Sequence, residues 1–202
     1  MHLQEFLLIV AWLIFGGIHS LTAHDSFKKY IHNIFSALYP HYRIAYNILA
    51  LITLTGVLLI HYSINSSPIP LFGKNSTIAG GMLIFLGMFI IIKVLLRYDA
   101  KAFLGISKQK NTPTEFVTDG LSAVVRHPMY VGTVLVMVGF FLFEHQWKTF
   151  ISVGTLFIYL QIGIYFEEKK LSAEFGTDYL QYKKTTPRLF LFNPIVFIKN
   201  LL

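Results

Sequence analysis

Apolar residues in this chain come in long unbroken runs, not in the alternations or narrow stripes of a soluble core. Runs able to cross a hydrocarbon layer of roughly 30 Å at about 1.5 Å per residue are Phe6 to Leu21, Ile44 to Tyr62, Ile78 to Leu96, Tyr130 to Phe143 and Phe150 to Phe166. The fourth is short. It either borrows Glu144 to Trp147 or forms a tight hairpin with the fifth, since only about five polar or interfacial residues separate them. Between the first two runs, Tyr30, Ile31, Ile34, Phe35 and Leu38 recur at helical spacing, which predicts a short interfacial helix ended by Pro40. In the tail, Leu189 to Phe192 and Ile195 to Ile198 are apolar but broken by Asn193 and Pro194, so they predict an interfacial or re-entrant segment. The pattern predicts an all-α, polytopic membrane protein with about five transmembrane helices. We read residues 1–202 as a single membrane domain, with a three-span part over 1–96 and a loop, helical hairpin and tail over 97–202. The first run does not resemble a signal peptide: Met1 to Glu5 has no Lys or Arg, and the stretch around Ser20 lacks a small-residue cleavage site.

Composition agrees, with 54% hydrophobic and only 13% charged residues, more apolar surface than one soluble core of this length requires. The net charge of +7 does not argue for nucleic acid, because the cations sit between apolar runs and not on one water-exposed face. They alternate instead. Lys28, Lys29 and Arg43 follow the first run, and only Lys74 follows the second. Arg97, Lys101, Lys108, Lys110 and Arg126 follow the third, and only Lys148 lies between the fourth and fifth. The tail carries Lys169, Lys170, Lys183, Lys184, Arg188 and Lys199, while Lys93 sits near a span end. The positive-inside rule then places the N-terminus outside and the C-terminus in the cytoplasm, as in a multi-pass protein of a bacterial inner membrane. The absence of cysteine excludes disulfides, thiolate metal sites, iron–sulfur clusters and a cysteine nucleophile.

Candidate chemistry collects on the predicted cytoplasmic side. The stretch from Thr118-Asp119-Gly120 to Arg126-His127-Pro128-Met129-Tyr130-Val131-Gly132 ends at the fourth run, with Pro128 suited to the first helical turn. Arg126 and His127 then lie beside a helix N-terminus, which favours an anion such as a carboxylate or phosphate. Equally, Arg126 serves as a topology-setting charge and Tyr130 as a belt aromatic. The fifth run leaves through Glu167-Glu168-Lys169-Lys170, and the hairpin returns this point to the face that holds Arg126. Two carboxylates at a membrane exit are unexpected from lipid physics, although a hydrated helix end with ordinary surface pairs also accounts for them. Beyond, Gly176 is a natural helix cap, with Thr177 or Asp178 opening the next turn, and Tyr179 and Tyr182 fall on one face of a short helix. Their rings pack on lipid or close a pocket over a planar base or a sulfonium cation.

These fragments resemble the isoprenylcysteine carboxyl methyltransferase family: Thr118-Asp119-Gly120, Arg126-His127-Pro128-x-Tyr130-x-Gly132, Glu167-Glu168, Phe175-Gly176-x-x-Tyr179-x-x-Tyr182-Lys183-Lys184 and Pro187, over roughly residues 97 to 192. Upstream, His19-Ser20-x-x-Ala23, Phe27-Lys28 and Tyr42-Arg43-x-x-Tyr46, with Arg97-Tyr98-Asp99 and Phe103-Leu104-Gly105, are more similar to the NnrU group and to bacterial methanethiol S-methyltransferases. The resemblance implies an S-adenosylmethionine pocket built from the last two spans and the tail, open to a small-molecule or lipid-like methyl acceptor. Through it His127, Pro128, Tyr130, Gly132, Glu167, Glu168, Tyr179 and Tyr182 are implied to bind the cofactor, and Arg126 to meet an acidic group as the catalytic residue. The family's arginine after the paired basic residues is absent, since Lys183-Lys184 runs into Thr185-Thr186; Arg188 is the available substitute. Methyl transfer from a sulfonium is an in-line displacement that asks for alignment and exclusion of water, with no metal and no covalent nucleophile. A thiol acceptor needs its thiolate form, which a nearby cation favours, whereas a carboxylate is already ionised.

Three other readings remain. Sterol reductases share a similar membrane C-terminal architecture and bind NADPH, but a polyanionic cofactor sits poorly against Glu167-Glu168. His19, His24, His32, His41 and His127 all fall on the predicted cytoplasmic side, where two of them suffice for a haem or metal. Lastly, a non-enzymatic, NnrU-like protein keeps the fold without the activity.

Overall fold

In the computed structural model the described residues are 3–37, 39–70, 72–97 and 116–189. They form six α-helices: α1 (Leu3–Ala23), α2 (Asp25–Ile34), α3 (Tyr42–Ser63), α4 (Lys74–Arg97), α5 (Pro128–Glu144) and α6 (Trp147–Thr185). No strand occurs among the described residues; one isolated bridge joins Pro68 and Gln146. Four helices are long and apolar enough to cross a membrane, and α5 is apolar with 17 residues. All five expected spans are thus helices. Lys101, Lys108, Lys110, Tyr98-Asp99, Phe103 to Gly105 and the tail from residue 190 onward, which includes Ile195 to Ile198 and Lys199, lie outside the described residues.

The fourth and fifth spans form the tight hairpin. α5 starts two residues before the predicted Tyr130, with Pro128 in its first turn, where a missing N–H costs nothing. It ends at His145, which adopts the left-handed conformation and lets Gln146 open α6. The interfacial helix α2 is present, but it stops at Ile34 and not at Pro40. Its last turn closes at Phe35, whose N–H donates to the Ile31 carbonyl, and Pro40 falls in the separate 3₁₀ turn Tyr39–His41. Lys170 on α6 meets Asp25 on α2 at 2.7 Å, so the interfacial helix and the charged extension of α6 share one end of the bundle.

Glycine explains how α4 and α5 pack. A Cβ at Gly80 would lie 2.6 Å from the Gly139 carbonyl oxygen, and one at Gly132 would lie 2.8 Å from that of Gly87. The helices therefore run antiparallel in backbone contact. Lipid tails are as apolar as the side chains, so close van der Waals contact between small residues supplies the attraction that burial supplies in water. Gly132, implied by the resemblance to bind the cofactor, faces α4, where Gly87, Ile90 and Ile91 occupy the space a side chain would need.

At the end away from Arg126, a polar network joins four helices. His61 is fully buried; its Nε2 lies 3.0 Å from Glu144 Oε2 and its Nδ1 3.0 Å from the Ser152 hydroxyl, which accepts from Trp12 Nε1 at 2.9 Å. Thr149 donates to the same carboxylate oxygen of Glu144. Lys148, between the fourth and fifth spans, is only 6% exposed; it donates to the Ile64 carbonyl at 3.2 Å and lies 3.5 Å from Glu144 Oε1.

The glycine seam yields a direct test. Gly87→Leu forces α4 and α5 apart and should destabilise the detergent-solubilised protein by about 1–3 kcal/mol. Gly81→Leu, on the open side of the same helix, should leave the melting temperature nearly unchanged. Equal melting temperatures for the two variants would refute the seam.

Candidate active site

The apolar part of α6 ends near Phe166, and the helix continues as a charged extension that breaks at Gly176, where φ is 55° and ψ −127°. That conformation is open to glycine and strained for other residues. The break lets the last two turns fold back toward the start of α5, as the capping pattern predicts.

Arg126 and Glu168 form the centre of the site. Arg126 Nε and Nη2 donate to Glu168 Oε1 at 2.9 and 2.8 Å, and Nη1 donates to the carbonyls of Lys183, at 3.0 Å, and Thr186. Both side chains are about nine-tenths buried. Lys183 Nζ lies 3.2 Å from Glu168 Oε2, and His127 Nε2 lies 3.2 Å from Oε1. The backbone adds to this knot: Arg126 N–H donates to the Pro187 carbonyl at 2.9 Å and His127 N–H to that of Arg188 at 3.3 Å. The tail therefore covers part of the helix N-terminus expected to be open to an anion. Leu189 continues inward and packs with Met137, Leu160 and Ile164.

Burial alone would raise the Glu168 carboxyl, but the hydrogen bonds from Arg126 and Lys183 outweigh it and hold the pKa down at about 2. Burial lowers the His127 pKa against the opposing pull of the two glutamates. The Tyr179 phenol is pushed up to about 12, first by burial and then by the charge of Glu168.

Glu167 differs from its neighbour. Its side chain is 44% exposed, with Oε2 4.0 Å from His127 Nδ1, and it reaches the Tyr130 hydroxyl. The His127 and Tyr130 rings are 5.5 Å apart. On the other side of the knot, Phe116 meets Phe175, Tyr179 and Tyr182 at 5.1, 5.4 and 5.3 Å between ring centroids. Tyr179 and Tyr182 share one helix face, 6.0 Å apart. The Tyr182 hydroxyl donates to the Ser122 carbonyl. The Tyr179 hydroxyl, in a residue 2% exposed and beside Arg126, makes no hydrogen bond of good geometry, and neither does the buried Nε of Arg188.

The structure thus brings together Arg126, His127, Tyr130, Glu167, Glu168, Tyr179 and Tyr182 from segments that lie up to 60 positions apart. Pro128 is buried in the first turn of α5, and Gly132 belongs to the helix seam. The profile of the phospholipid methyltransferase family matches residues 75–178. The chain belongs to this family. The phospholipid methyltransferase stretch therefore contains the glycine seam, the Arg126–Glu168 pair and the break at Gly176. A methanethiol S-methyltransferase from Crocosphaera subtropica is 32% identical over 113 residues, 56% of this chain and 44% of that protein. A methanethiol S-methyltransferase 1 from Bradyrhizobium diazoefficiens is 32% identical over 111 residues, 55% of this chain and 38% of that protein. The matched stretch spans less than half the length of either curated relative. No solved structure matches at a significant level.

Sequence reasoning missed Phe116, which fills the space between the tyrosines. It also missed the role of Asp119 and Gly120. Arg97 at the end of α4 donates to the Asp119 carbonyl at 2.9 Å and pairs with its carboxylate, and its guanidinium occupies the space beside Gly120, where φ is 57°. The histidines have partners other than one another: His19 meets Tyr46, His61 meets Glu144 and His127 meets Glu168.

Glu168 has a lower pKa when folded than its ordinary value of 4.5. Its stabilising contribution is therefore complete above about pH 5 and lost as the pH falls toward 2. Melting temperatures measured from pH 7 to pH 3 should fall for the wild type, while Glu168→Gln starts lower and declines less steeply. Arg126→Ala, which leaves a buried carboxylate without its main partner, should cost about 3–5 kcal/mol at pH 7.

Proposed function

We propose that this protein is an integral-membrane methyltransferase that uses S-adenosylmethionine to methylate a small thiol or a lipophilic acceptor. The carrying observation is the Arg126–Glu168 knot, which gathers the fragments around Arg126-His127, Glu167-Glu168 and Tyr179 to Lys183 at one end of the α5–α6 hairpin and leaves Glu167, Tyr130 and the tyrosine face around it. Family membership and the names of the two relatives support the same reaction class. The charge pattern supports a bacterial inner membrane with this end of the bundle in the cytoplasm.

The residues fit the donor. Glu167 offers a hydrated carboxylate for hydroxyl or ammonium groups, and the buried Tyr179 hydroxyl and Arg188 Nε are polar groups that still lack partners. Arg188, whose backbone pairs with His127, is better suited than Arg126 to hold a carboxylate. Arg126 already donates to Glu168 and two carbonyls, so it acts as a positioning residue for the tail. Tyr179 and Tyr182, together with Phe116, present π-faces suited to a flat base or a cation. When bound, S-adenosylmethionine supplies an electrophilic methyl group on a sulfonium. The part left to this chain is to align the acceptor with that group and keep water away.

Titration calorimetry on detergent-purified protein tests the proposal. The wild type should bind S-adenosylmethionine and its demethylated product. Glu167→Ala should weaken binding at least tenfold with an unchanged melting temperature, because this side chain is exposed. Glu168 variants are unsuitable for this purpose, since they also loosen the tail. Absence of binding by well-folded wild type would overturn the proposal.

A further inference from the structure

A second polar cluster adjoins this site from the lipid side, and its residues come from α1 and α3, which contribute nothing to the Arg126–Glu168 knot. His19 lies one turn from the end of α1, in an otherwise apolar helix where an imidazole is costly without a purpose or a partner. Its Nε2 is 2.8 Å from the Tyr46 hydroxyl of α3, and the two rings are 5.1 Å apart. Alongside, the Tyr42 hydroxyl donates to the Thr22 carbonyl at 2.6 Å, and the Ser20 hydroxyl is 2.9 Å from that of Tyr159 on α6. Glycine at position 16 makes room for this approach: a Cβ there would lie 2.9 Å from the Tyr159 ring. Tyr46, Tyr159 and Tyr130 are close enough for each to feel the charge of a neighbour, and Tyr130 reaches Glu167 in the site already described. The His19–Tyr46 pair is therefore related to Tyr130 and Glu167 electrostatically, across a space between α3 and α5 and not through a chain of hydrogen bonds. His19 and Tyr46 are half-buried, not sealed.

We propose that His19, acting through the hydroxyl of Tyr46, is the proton acceptor for a neutral thiol that enters from the lipid. This rests on the methyl-transfer reading above. An acceptor that crosses hydrocarbon does so as R–SH, and its sulfur is a poor nucleophile until the proton leaves. A carboxylate acceptor is already ionised and has no use for a base. In the step proposed, a sulfur lone pair forms the new S–CH₃ bond as the donor's C–S bond breaks and its electron pair stays on the departing thioether. The thiol proton passes to the Tyr46 oxygen as Tyr46 passes its own to His19 Nε2, which leaves a neutral phenol and an imidazolium. The titratable and charged groups facing the pair are Tyr42 and Arg43 on α3, Tyr130 on α5 and Tyr159 on α6.

The same hydrogen bond also fastens α1 to α3, so the test separates the two roles. Ethanethiol serves as the probe with S-adenosylmethionine, and kcat/KM is followed from pH 6 to pH 10 for the wild type, His19→Gln and Tyr46→Phe. Melting temperature and cofactor affinity are measured for each. Both variants should lower the melting temperature only slightly, remain folded at the assay temperature and bind S-adenosylmethionine within about twofold. Each should lose about 100-fold in kcat/KM at pH 7 and recover with rising pH as ethanethiol ionises in solution. Folded, cofactor-binding variants with full activity at pH 7 would overturn the proposal. So would a loss of activity that tracks a lower melting temperature and leaves the pH profile unchanged. Wild type that binds S-adenosylmethionine and methylates dodecanoate or phosphatidylethanolamine vesicles but not ethanethiol would sink the thiol assignment and spare the methyltransferase reading. Folded wild type that binds no S-adenosylmethionine would overturn both.

Discussion

The buried pairing of Arg126 with Glu168 is the constraint on which the rest of this end of the molecule depends. Taking two charges out of water is costly, and the cost is offset only where geometry is good and the remaining hydrogen-bonding capacity is used. Here Arg126 donates to one carboxylate oxygen through two nitrogens and to two tail carbonyls, and Lys183 takes the other oxygen. The pair therefore sets three things together: the start of α5, the path of α6 beyond the membrane, and the return of the tail. Glu167, one residue away but exposed, is left for other work.

A hairpin in lipid needs more than a knot at one end. Along its length, α4 and α5 touch backbone to backbone through Gly80, Gly87, Gly132 and Gly139. At the far end, Glu144 gathers His61, Thr149 and Lys148, and Ser152 extends the network to Trp12 on α1. Polar contacts thus clamp both ends, while close packing holds the middle. Such a frame suits methyl transfer, where alignment of two reacting groups provides most of the acceleration. The His19–Tyr46 pair then ties α1 to α3 beside the clamped hairpin.

How much was legible in the sequence depended on the range of the physics involved. The five spans were legible because a lipid core demands long apolar runs and tolerates no lipid-exposed open backbone. The kink at Gly176 and the first turn at Pro128 were legible because both follow from local backbone preferences. The end of α2 was misplaced. Pro40 is a strong stop signal, yet the helix closes five residues earlier through a backbone bond at Phe35. The surroundings of Lys148 and Gly132 were not legible, because the burial of a lysine between two spans and the contact of a motif glycine depend on which helix lies against them.

By itself, the sequence determined the all-helical membrane class, the alternation of charge between loops, and the set of residues from Arg126 to Tyr182 that carries the family pattern. The first two rest on composition and periodicity, and the third on its resemblance to a family pattern, all written along the chain. Tertiary structure alone decided how those residues divide their work. It assigned Arg126 and Glu168 to each other, left Glu167 exposed beside them, turned Gly132 toward α4, and joined His19 to Tyr46 across 27 positions. Pairings of this kind depend on which helix faces lie against one another, and no local pattern in the chain encodes that choice.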